Sequence, residues 1–194
     1  MPQLELAEIP VLDQHCHPFM SQWFYTDIPS FRACFTEGRR VVERYVPSLV
    51  YYRWALGEIR RALNLAPNAD EETILAERAA QADDYLAATM GEARLAGLLI
   101  DDGYPPAKDA LSVAQMSAAC GCPAWRVLRV ETLLESLLLQ AASLDDLLVV
   151  FDAELSDARA RGVVAFKSII AYRGGLAVRV PEPEEVRVAF TAAR

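Results

Sequence analysis

The chain has two histidines, His15 and His17, both in the tripeptide His15-Cys16-His17. If Ile9-Pro10-Val11-Leu12-Asp13-Gln14 before them is a strand, side chains at i and i+2 share a face. Two imidazoles side by side are two of the ligands that a divalent metal takes. The spacing also suits a solvent-facing or hydrogen-bonded pair, because so short a motif recurs by chance. Cys16 points to the opposite face, as packing.

Lysine is as scarce, with Lys108 and Lys167 against 17 arginines. Lys167 interrupts the most apolar stretch, Val163-Val164-Ala165-Phe166-Lys167-Ser168-Ile169-Ile170. Strand parity puts Val163, Ala165, Lys167 and Ile169 on one face. A lysine buried there is costly unless paired or modified, and burial lowers an amine's pKa. A neutral amine can act as a base, or take up carbon dioxide as a carbamate that ligates metal. Alternatively its head reaches the strand end and pairs with an acid such as Glu131.

Arg129 and Glu131 share a face at the end of Trp125-Arg126-Val127-Leu128-Arg129-Val130. An arginine there can fork onto a substrate carboxylate, or pair internally with Glu131. Asp101-Asp102-Gly103 places one carboxylate inward, although a turn is the commoner role of that sequence. Cys120-Gly121-Cys122 has the wrong spacing for a zinc knuckle and reads as a helix end.

These residues need elements to hold them. Strands are expected near 9–15, 95–101, 125–131 and 163–170, parallel and in chain order. Helices are expected at about 106–120, at 132–160 in two pieces, and from Pro183 onward. Residues 19–37 read as a loop packed by Phe19, Trp23, Phe24, Tyr25 and Phe31. After Gly38, Leu49, Tyr52, Leu56, Ile59 and Leu63 recur at helical steps. A second helix opens at Asp70 as N-cap and runs, with a break, to about Arg94. Near-continuous apolar strands alternating with helices mark a parallel sheet covered by helices. No Gly-rich turn follows the first strand, which disfavours a dinucleotide-binding sheet. Polar residues follow every strand, as barrels require at their carboxyl ends. The expected fold is therefore α/β, the amino-terminal half of a (β/α)8 TIM-type barrel, with a helical insertion at 38–94 after the first strand.

Composition bounds the rest. The 194 residues are one domain's worth, 53% hydrophobic and 24% charged, which argues against disorder. The net charge of −8 disfavours nucleic acid as a partner. No apolar run is long enough to span a membrane. The first residues lack a signal-peptide pattern. A cytoplasmic chain with reduced thiols is expected, with a small-molecule substrate and possible homo-oligomer formation.

Leu12-Asp13-Gln14-His15-Cys16-His17-Pro18 resembles the first-strand metal motif of the amidohydrolase superfamily. Phe166-Lys167-Ser168-Ile169-Ile170-Ala171-Tyr172-Arg173-Gly174-Gly175-Leu176 resembles the fourth-strand segment of its amidohydrolase-related branch, and Arg129-Val130-Glu131 suits it. The resemblance implies a divalent metal, zinc foremost, and hydrolysis of an amide or related bond. It implies His15 and His17 as metal ligands, Lys167 as a further ligand and catalytic lysine, and Arg129, Glu131 and Arg173 as substrate-binding residues. No histidine follows His17, so the later ligands of that family are missing and the likeness is to an amino-terminal half. Two alternatives are a non-catalytic half-barrel serving assembly and a metal-dependent non-oxidative decarboxylase. A half-barrel would leave Val163 and Ala165 partly wet.

Overall fold

A computed structural model describes residues 9–20, 27–37 and 40–194, without the side chains of 40–42 and 83. Trp23, Phe24, Tyr25 and Gly38 lie outside the described residues. The elements are β1 (Val11–Cys16), α1 (Ile28–Ala33), a 3-10 stretch (Arg40–Ser48), α2 (Val50–Ala62), α3 (Glu71–Glu92) and β2 (Leu95–Asp101). After these come α4 (Val113–Cys120), β3 (Ala124–Arg129), α5 (Val130–Leu138), α6 (Leu144–Ser156), β4 (Val163–Lys167) and α7 (Pro183–Ala192). Among the described residues no helix is long and apolar enough to cross a membrane.

The four strands pair in parallel in the order β1-β2-β3-β4. Leu98, Ile100, Met116, Cys120 and Cys122 form one core between the sheet and α4, with Cys16 packed against it. Burial pushes the Cys16 thiol up to about 11, with smaller contributions from Asp13, Cys120 and Cys122. Leu128, Ala158 and Val163 form a second core, with Leu133 of α5 and Leu155 of α6 packed on it. The opposite face carries Leu99, Val127 and Ala165 beneath a cavity.

The half-barrel expectation is corrected. The described residues build an open α/β sheet of four parallel strands, with free edges at β1 and β4 among those residues. The features that suggested a barrel are continuous apolar strands and polar strand ends. An open parallel sheet needs both as well, since it too gathers its chemistry beyond the carboxyl ends of its strands. Val163 is also not on the lysine's face. The β3–β4 register slips between Arg126 and Val127, and Val163 turns into the helix-side core, 7% exposed. The expectation that it would be wet fails for that reason.

The segment after β1 is helical. Asp70 caps α3 by accepting from the Thr73 N–H at 2.9 Å, and the break falls at Ala82, where φ is 16° and ψ is −92°. This layer has its own core of Phe31, Val46, Tyr52, Leu56, Leu63, Ile74 and Leu75. Beside it Glu71 accepts from Arg32 Nε at 2.8 Å and Nη2 at 2.5 Å, and from the Tyr52 hydroxyl. Those bonds join α1, α2 and α3 through one carboxylate. Glu71→Ala would leave the buried Tyr52 hydroxyl and Arg32 without their acceptor. Allowing for partial exposure of the pair, urea unfolding should show a loss of about 2 kcal/mol; an unchanged midpoint would contradict this role.

Candidate functional site

The site is assembled by strand ends. β2 ends on Asp101, β3 on Arg129 and β4 on Lys167, while His15 lies near the end of β1 and His17 just beyond it. Parallel pairing aligns these ends, and the register sets Arg129 beside Lys167. Asp101 is at the centre with its side chain 2% exposed. It accepts from Arg129 Nη2 at 2.6 Å, Arg129 Nε at 3.2 Å, Lys167 Nζ at 2.7 Å and the Gly103 N–H at 3.1 Å. Burial alone would raise the Asp101 pKa. The bonds from Arg129, Lys167 and Gly103 outweigh it and hold the carboxyl below its ordinary value.

Lys167 Nζ also donates to His15 Nε2 at 2.7 Å. His17 Nδ1 lies 3.1 Å from the Asp101 carbonyl oxygen. A carbonyl can only accept, so Nδ1 carries a proton, and in the neutral ring this tautomer leaves the Nε2 lone pair for another partner. The two imidazoles meet edge to face, ring centroids 5.9 Å apart. Gln14, Leu99, Val127, Ala165 and Phe166 complete a cavity of about 280 Å³ with His15, Asp101 and Lys167.

The structure thus brings His15, His17, Lys167 and Arg129 together and adds Asp101. It does not bring in Glu131 or Arg173. β3 stops at Arg129 and α5 starts at once, so Glu131 lies in a helix turn rather than two residues along a strand. Its Oε1 accepts from the Ser168 hydroxyl and, at 3.0 Å, the Ile169 N–H. Glu131 therefore holds the chain just after Lys167, and the lysine's acid is Asp101. Arg173 pairs with Glu135 at 3.2 Å on the surface.

Sequence reasoning set one of Asp101 and Asp102 inward without choosing between them; Asp101 is the one that the Leu99 face of Leu98-Leu99-Ile100-Asp101 selects. It missed one group. Tyr104 had no signal. Its ring lies 5.7 Å from His17 and 6.0 Å from the Arg129 guanidinium carbon.

Among the described residues no three histidine, cysteine or carboxylate side chains are placed to hold one metal ion. The donor chemistry nevertheless suits a cation. A lysine ammonium already sits between an imidazole nitrogen and a carboxylate oxygen, as a covalently attached stand-in.

A depressed carboxyl pKa adds stability that is present above the unfolded value, about pH 4, and lost as pH falls through the folded value. Asp101→Asn should cost about 2–4 kcal/mol at neutral pH by leaving two half-buried cations underpaired. Urea unfolding across pH should show that gap narrowing below about pH 4; a gap constant down to pH 2 would contradict the assignment. Gly103→Ala sets a Cβ 2.7 Å from Arg129 Cβ and should displace Arg129 from Asp101, with a loss of about 1–3 kcal/mol in the same assay.

No family model matches the chain, and no curated protein matches it. A crystal structure from Lactobacillus casei, provisionally assigned as a metal-dependent hydrolase, is similar with a TM-score of 0.78 and 26% identity. The match covers 96% of this chain and 49% of that one, so the chain spans about half the length of this neighbour. The likeness shows a shared fold over that half of the neighbour.

Proposed function

We propose that the chain is a metal-dependent hydrolase of the amidohydrolase type, cleaving an amide or related C–N or C–O bond of a small molecule. The observation that carries this reading is the shared ammonium: His15 Nε2 and Asp101 Oδ2 each lie 2.7 Å from Lys167 Nζ. His17 stands beside them with Nδ1 fixed on a carbonyl, the arrangement that orients a metal-ligating imidazole. The neighbour's assignment as a metal-dependent hydrolase agrees with it.

In this reading His15 and His17 hold a divalent ion, zinc foremost, which displaces the Lys167 ammonium from His15 Nε2; Lys167 is the further ligand once it has lost its proton or taken up carbon dioxide as a carbamate. When bound, such an ion supplies an activated water and polarises the scissile carbonyl. These three donors match the number of protein ligands that a catalytic zinc site uses with water in the fourth position. Arg129 spends Nε and Nη2 on Asp101 and keeps Nη1 for an anionic group of the substrate. Glu131 fixes the Ser168–Ile169 backbone and so the direction of Lys167. Arg173 would reach a substrate only by leaving Glu135. The cavity of about 280 Å³ is near the lower end of small-molecule sites.

Zinc titrated calorimetrically into the chain should bind at one site. His15→Ala and His17→Ala should each weaken that binding at least about tenfold. Equal affinity in the wild type and both variants would refute the proposed ligands.

A further inference from the structure

A second cavity, about 310 Å³, lies between α3 and the segment leaving β1. Its walls are largely apolar, with Phe19 and Met20 on one side and Tyr85, Leu86 and Met90 of α3 on the other. Arg78 also lines it. The Arg78 Nε is buried and, among the described residues, has no hydrogen-bond partner. No carboxylate of the described residues pairs with this guanidinium. Its carbon lies 5.5 Å from the ring centroids of both Phe31 and Tyr85. Ring faces on an arginine hold it through cation–π attraction and leave its in-plane N–H groups for an acceptor.

The walls are anchored. Met20 bridges to Ala110 in antiparallel fashion, the Leu111 N–H donates to the Phe19 carbonyl at 2.8 Å, and the Phe19 N–H lies 3.2 Å from Met116 Sδ. The Thr89 hydroxyl, also at the cavity, is used on the Tyr85 carbonyl at 2.8 Å. An unpaired buried donor is costly, and its charge makes an anion the matching acceptor. One guanidinium among apolar walls suits a planar carboxylate with an apolar body better than a phosphate, whose three oxygens would need more donors.

We propose that this cavity binds a small aromatic or apolar carboxylic acid, its carboxylate on Arg78 and its body between Phe19, Tyr85, Leu86 and Met90. The proposal does not depend on the strand-end cluster being hydrolytic.

Benzoate and its neutral isostere benzamide are the probes, followed by amide resonances of the full chain. Benzoate should give saturable shifts at residues 85–90, and benzamide should bind at least about tenfold more weakly. Arg78→Met should weaken benzoate at least about tenfold, down to the benzamide level. Thr89→Phe, which fills the cavity and keeps the arginine, should also abolish the shifts and decides the matter if Arg78→Met fails to fold. Absence of saturable binding, equal binding of the two probes, or benzoate binding that survives either variant would overturn the proposal.

Discussion

Asp101 carries its charge where water hardly reaches, and the geometry of the strand ends follows from satisfying it. An isolated carboxylate so buried would be protonated or expelled. Here Arg129 and Lys167 supply opposite charge, and the Gly103 N–H supplies a further donor. The backbone carbonyl of the same residue takes the His17 ring, and the lysine it anchors reaches His15. One residue of β2 thereby ties together groups from the ends of all four strands. Gly103 is part of the same arrangement, because any Cβ there would lie 2.7 Å from Arg129 Cβ.

The sheet makes this possible by dividing its faces. Leu98, Ile100, Leu128 and Val163 face helices, and that burial stabilises the layer without using the other side. The other face is left to Leu99, Val127 and Ala165, with the charged cluster at its carboxyl end. Parallel strands put those ends side by side, so charges far apart in sequence come within hydrogen-bond distance. Lys167 and His15 are 152 residues apart and meet at 2.7 Å.

Much of this was legible. The four strands are the apolar runs, and the scarce His15, His17 and Lys167 are the residues that converge. Asp70, the break in α3 and the glycine that ends α4 were readable because caps and breaks are local. What was illegible depended on long-range pairing. Asp-Asp-Gly reads as a turn until β3 and β4 bring two cations to Asp101. The parity of Val163 fails because of a register slip against β3. Glu131 leaves the strand face because α5 begins at Val130, two residues earlier than apolar patterning suggests. A barrel and an open parallel sheet share both alternation and polar strand ends, so the pattern could not separate them.

The central claim is that His15 and His17 at these strand ends share one cation. Zinc anomalous scattering from crystals grown with the ion tests it most directly. The account predicts a single strong peak about 2.0–2.1 Å from the Nε2 atoms of His15 and His17. A peak on other residues, or none beside the two imidazoles at full zinc saturation, would contradict it.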